Sequence, residues 1–146
     1  VENAGADVVF TPQFVVGGLV FAACVAVHVA VTHFMIRRIL PWISRIGPDD
    51  HMVIAMVAVA GSLGVAHVLE IILWASVMDF VDGVREGDAL YFAFTSYTTL
   101  GYGDVVGEPG WRLLGPMSAM TGILLFGWST AIIVQVLSNV LPNRRI

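Results

Sequence analysis

Three groups of residues in this chain have types and spacings that could do chemistry. The first is Leu100-Gly101-Tyr102-Gly103-Asp104, preceded by Thr98 and Thr99. Gly101 and Gly103 open backbone dihedrals closed to other residues, so this stretch need not be helical and its peptide groups are free to face a partner. The second is Glu70, with His67 three residues before it and Trp74 four after, all on one helical face. The third is the pair His28 and His33. Two histidines on facing helices can ligate haem, but a spacing of five puts these two on different faces of one helix, and no cofactor motif accompanies them. A haem-binding membrane protein is therefore a remote alternative. No metal-ligand cluster, nucleophile elbow or phosphate loop is present, and no enzyme is expected.

The elements that must position these residues are hydrophobic. Of 146 residues, 58% are hydrophobic and 12% charged, against about 25% charged in a soluble domain. Val8 to Ile36 and Leu113 to Asn143 contain no Asp, Glu, Lys or Arg, and His51 to Met78 contains only Glu70. A spanning helix needs about 20 mostly apolar residues, so three are expected, near 13–38, 52–79 and 113–141. The first should start around Pro12, since proline suits a first turn, and end before Pro41. Pro41 to Asp50 reads as a turn-rich connection. Ala89 to Thr98, behind Asp88 as an N-cap, is too short to cross: ten residues give about 15 Å of helix, half of a hydrocarbon core of about 30 Å. It must enter and return. Irregular glycine-rich backbone at that depth survives only when buried in protein or lining a wet cavity, which implies a pore. The expected fold is thus an all-α integral membrane protein. Residues 1–50 hold an extra helix and its connection. Residues 51–146 form a pore domain with outer helix 52–79, pore helix 89–98, loop 99–104 and inner helix 113–141.

Charge sets the expected orientation. Arg37, Arg38, Arg45, Arg144 and Arg145 share one side with Asp49 and Asp50. The other side carries Arg85 and Arg112 against Glu2, Asp7, Asp79, Asp82, Glu86, Asp88, Asp104 and Glu108. The positive-inside rule places the arginine-rich side and the C-terminus in the cytoplasm and the N-terminus outside; a bacterial plasma membrane is the expected setting. The net charge of −4 argues against a nucleic-acid partner. Cys24 is the single cysteine and reads as a small buried hydrophobe. Val1 is not a methionine, so the chain is either processed or a cut piece, and the sequence does not decide between the two.

The string Thr98-Thr99-Leu100-Gly101-Tyr102-Gly103-Asp104 resembles the selectivity filter of potassium channels, with Leu100 where that family commonly has valine. The resemblance extends from Asp79 to about Asn139. It implies passive potassium conduction through a homotetramer, this chain joined by three further identical subunits, since one chain carries one loop and the ring needs four. It implies permeant K+ ions, and no organic cofactor, held by the carbonyls of Thr99, Leu100, Gly101 and Tyr102 and the Thr99 hydroxyl. Gly103 completes the filter, and Tyr102 would point outward as a strut. Thr95, Thr98 and Asp104 would support the filter and pore mouth. The chain departs from the family at Thr95, where many members have a carboxylate behind the filter, and at Tyr91 and Phe92, where many have two tryptophans. Glu70 and His67 are expected to hydrogen-bond the back of the pore helix near Thr95, Ser96 or Tyr97, as a structural brace or, more boldly, as a proton sensor. Gly122 lies near the family's hinge position and, with Gly127, is a candidate gating hinge; tight helix packing through small residues is the equal alternative. A weakly selective cation channel or an ion-transporter subunit remains the main functional alternative. Membrane lipid is an expected partner. The first helix lacks the periodic arginines of a voltage sensor.

Overall fold

A computed structural model describes the backbone of residues 3–43 and 51–140. Among these residues the structure is all-helical. Helix α1 spans Asn3–Phe34 and passes into a π-helical turn, Met35–Ile39, followed by α2, Leu40–Ile43. Helix α3 spans His51–Phe80, α4 spans Ala89–Tyr97 and α5 spans Leu114–Val140.

Three stretches are long and apolar enough to cross a membrane: Pro12–Trp42, Met52–Phe80 and Leu114–Ser138. Less than a third of each is buried within the chain, so most of their apolar surface is left for lipid or other subunits. Helix α4, with nine residues, is about 14 Å long and does not cross.

Two expectations for the first helix are corrected. It begins well before Pro12, which lies inside it. An interior proline forfeits one backbone hydrogen bond, a loss spanning helices tolerate where neighbours satisfy the freed group. Nor does helical backbone stop before Pro41: the π-helical turn buries Met35, leaves Arg37 and Arg38 exposed, and continues through Pro41 in the first turn of α2. Arg45, Asp49, Asp50, Arg144 and Arg145 lie outside the described residues.

The core sits where α1, α3, α4 and α5 meet. Cys24 from α1, Trp74 and Met78 from α3, Ala93 and Tyr97 from α4, and Leu114 and Leu125 from α5 are essentially inaccessible. Helix α4 is wedged between α3 and α5 on its Ala89, Phe92, Ala93 and Tyr97 face. At the C-terminal end of α3, Asp82 takes a left-handed conformation (φ 50°), the Gly83 amide bonds the Met78 carbonyl at 2.8 Å, and the Gly83 carbonyl accepts the Glu108 amide at 2.8 Å. That pairing ties the segment entering α4 to the segment leaving the loop. Asp88 stands at the N-cap of α4, but its carboxylate binds Arg85 (2.9 Å) rather than a helix amide.

Candidate functional site: the loop behind the short helix

The loop starts where α4 runs out of helix. The amides of Leu100 and Gly101 both bond the Thr95 carbonyl, at 2.9 and 3.1 Å, and the Thr99 amide bonds the Ser96 carbonyl at 2.9 Å. These bonds engage the Thr95 and Ser96 carbonyls near the end of the helix and turn the chain back on itself. Beyond this turn the backbone alternates: φ is +60° at Thr99, +51° at Gly101 and +79° at Gly103, and is not positive at Leu100 or Tyr102. Alternation between left- and right-handed residues rotates successive peptide planes so that consecutive carbonyls can face the same side. Left-handed backbone is free for glycine but strained for threonine, whose β-branched side chain rarely adopts it. Strain of this kind persists where the surroundings enforce it and is concentrated at functional sites.

Residues 98–104 are all exposed in the single chain, Leu100 and Tyr102 among them. Tyr102, 67% exposed, is therefore not packed as a strut within the single chain. Thr95 is buried, and its hydroxyl donates to the Tyr91 and Phe92 carbonyls, at 3.1 and 3.2 Å; Thr98 does the same to Phe94 at 2.7 Å. Both hydroxyls are thus spent on carbonyls of α4 itself. The brace sequence reasoning missed is Tyr91, whose hydroxyl donates to Asp104 at 2.7 Å across the mouth. That bond holds the Asp104 carboxyl below its usual range and pushes the Tyr91 phenol up.

Behind the helix lies a second constellation. Glu70 is fully buried. It accepts from His28 Nδ1 (2.9 Å), His67 Nδ1 (3.1 Å) and the Tyr97 hydroxyl. His67 and Glu70 thus meet the pore helix at Tyr97, its last helical residue, and not at Thr95 or Ser96. Ser129 of α5 contacts His67 Nε2 at 2.9 Å and His28 Nε2 at 3.4 Å. His28 was not anticipated here; the signal available in the sequence was that a buried carboxylate requires donors and that α1 carries few. His33 is exposed and takes no part. With both its ring nitrogens engaged, His28 has none left for a haem iron. His28, His67 and Glu70 bring their ligand atoms within 4.8 Å of one another, but hydrogen bonds already engage these donors and acceptors, so no metal is needed to hold them.

Gly122 has a packing role in this structure. A Cβ there would collide with the Tyr97 carbonyl oxygen and sit 3.0 Å from the Tyr97 carbonyl carbon. Its missing side chain lets α5 touch the end of α4. Gly127, by contrast, has nothing within 4 Å of an added Cβ.

No curated protein and no solved structure matches the chain. A model of the ion channel family, however, matches residues 53–139, which take in α3, α4, the loop and α5 almost to its end. Short helix, strained loop and flanking spans all fall within that match, which covers more than half of the sequence, and the chain belongs to the ion channel family.

Proposed function

We propose that the chain is the pore subunit of a potassium-selective channel, conducting passively as a homotetramer. The alternating left-handed backbone at Thr99, Gly101 and Gly103 carries the proposal. It suits a row of carbonyls from Thr99, Leu100, Gly101 and Tyr102 that replaces the hydration shell of a cation. The C-terminal end of α4, partly negative, points to the same place and favours positive charge there. Exposure supports the tetramer. A loop with this much bare backbone is not viable in hydrocarbon unless other protein surrounds it. Beside it a groove of about 350 Å³, bordered by Phe92, Ser96, Gly115 and Ala119, offers a neighbouring chain a seat. The Arg37 and Arg38 side is assigned to the cytoplasm and the Asp104 mouth to the exterior, by the positive-inside rule.

The test is the reversal potential of the purified protein in a planar bilayer, with potassium on one side and sodium on the other. A value near the potassium equilibrium potential is expected. A reversal near zero with measurable current would replace the proposal with a weakly selective cation channel, with Leu100 the first position to examine.

A further inference from the structure

The polar groups behind the pore helix close into a ring. From Glu70 Oε1 it runs to His28 Nδ1, from His28 Nε2 to Ser129 Oγ, from Ser129 Oγ to His67 Nε2, and from His67 Nδ1 back to Glu70 Oε2. The Tyr97 hydroxyl joins at Glu70 Oε2 and lies 3.0 Å from His67 Nδ1. The ring draws on α1, α3 and α5, and Tyr97 connects it to α4.

Counting donors and acceptors fixes how many protons the ring can hold. Three donors converge on the Glu70 carboxyl group, as suits a carboxylate, which only accepts. Both imidazoles then carry their proton on Nδ1. If both were neutral, both Nε2 atoms would be acceptors, and Ser129 has one proton to give. One nitrogen would be orphaned inside the protein, and the ring would carry a net negative charge at membrane depth, where charge is costly. If both were cationic, both Nε2–H groups would donate to Ser129, whose own proton would have no place in the ring, and the net charge would be positive. With one shared proton every link is made: one imidazolium donates to Ser129, Ser129 donates to the other imidazole, and the charge cancels that of Glu70.

We propose that His28, His67, Glu70 and Ser129 form an intramembrane binding site for a single proton, shared by the two imidazoles, and that its occupancy ties Glu70, the anchor of Tyr97, to α5 through both Ser129 links and so regulates conduction. The regulatory half rests on the pore reading above. Tyr97 lies two residues before Thr99 and against Gly122, so loss of one Ser129 link loosens the anchor at the base of the loop. The other groups facing the ring do not supply this proton. Helix α1 adds only the Cys24 thiol, 3.9 Å from the Glu70 carbonyl. Helix α3 adds nothing beyond His67 and Glu70, α4 adds only the Tyr97 phenol, and α5 has no titratable side chain in its sequence.

The experiment is 15N NMR of histidine-labelled protein in lipid, with signals assigned through His28→Gln and His67→Gln, alongside potassium flux from liposomes over the same pH range. At neutral pH His28 and His67 are expected to carry three N–H protons on their four ring nitrogens. Flux should change with rising pH at the midpoint where the third is lost. Glu70→Gln should abolish both the third proton and the pH response. Ser129→Ala should shift the midpoint, whereas Ser129→Thr, which keeps the hydroxyl, should not. Two or four N–H protons in the wild type at neutral pH would overturn the site. An unaltered pH response in Glu70→Gln would overturn its control of conduction. A wild type without selective potassium flux would defeat the pore reading instead, and the proton count would still decide the ring.

Discussion

Gly122→Ala separates two roles for one glycine by the sign of its effect. If Gly122 served as a flexible hinge, alanine would stiffen α5 and stabilise the folded chain, since alanine is favoured over glycine in a helix interior by about 1 kcal/mol. The structure predicts the reverse. The added methyl would overlap the Tyr97 carbonyl oxygen and stand 3.0 and 3.1 Å from Tyr97 C and Cδ1. Two of these three atoms are backbone, so no rotamer change relieves the clash and α4 or α5 must move. Overpacking of this kind costs about 1–3 kcal/mol, and a rigid backbone obstacle belongs at the upper end. After subtracting the gain in propensity, the net loss is about 1–2 kcal/mol per chain, roughly a 5- to 30-fold shift in the folding equilibrium. Equilibrium unfolding in detergent would read it, with Gly127→Ala as the paired control. Nothing lies within 4 Å of a Cβ at Gly127, so that variant should be neutral or slightly stabilised. Because Tyr97 leads directly into the loop, Gly122→Ala should also lower potassium over sodium selectivity. A Gly122→Ala protein as stable as the wild type or more so, with selectivity intact, would refute the packing argument.

Gly103→Ala should leave the helices folded but abolish selective current, because a side chain at φ +79° costs about 1–2 kcal/mol and disrupts the alternation; circular dichroism beside bilayer recording checks both halves. Tyr91→Phe removes the hydroxyl that holds Asp104 below the usual carboxylate range. A carboxyl depressed in the folded state stabilises it above the unfolded pKa, and that contribution is lost as pH falls through the folded value. The Asp104 carboxyl resonance of Tyr91→Phe should therefore titrate at higher pH than in the wild type, and an unmoved titration would show that the bond does not form in the assembled mouth. Gln13→Ala leaves the Leu113 amide without the side-chain oxygen that it reaches at 2.9 Å. A loss of about 1–3 kcal/mol is expected by thermal unfolding, and none would mean that α1 does not seat against the start of α5.

The spans, the short helix and the loop were legible in the sequence because each depends on local quantities. Lengths of uncharged sequence give the spans, ten residues cannot reach across a bilayer, and glycine spacing marks irregular backbone. Contacts between elements were not legible. Glu70 demanded a partner, but no local pattern states which face of α1 turns toward α3, so nothing in the sequence singles out His28 as that partner. The bond from Tyr91 to Asp104 spans a reversal whose geometry depends on Thr95 accepting two amides at once. Asp88 fits the N-cap pattern, yet its carboxylate goes to Arg85, because an arginine three residues away competes for the same oxygen. Pro12 and Pro41 misled as boundaries for a related reason: propensities learned in water understate the cost of ending a helix in lipid, where every freed backbone group needs another partner.

Helix α1 acquires a definite role from these contacts. Residues 53–139 carry the family match, and α1 lies outside them, yet its Gln13 satisfies an amide at the start of α5 and its His28 holds the carboxylate that holds Tyr97. A helix merely packed between the other helices and lipid would be expected to present apolar side chains inward, since hydrocarbon and a hydrocarbon-like interface differ little in energy. Placing Gln13 and His28 inward, both essentially inaccessible, makes attachment of α1 conditional on specific polar partners. Removing those partners leaves buried groups unsatisfied rather than exchanging one apolar surface for another. Helix α1 is thereby fixed in one register at two points: the N-terminal end of α5 and the base of the loop. A displacement of α1 acts on His28 and, through Glu70, on Tyr97. This is a physical route by which a part of the chain outside the matched pore region can bear on the loop itself.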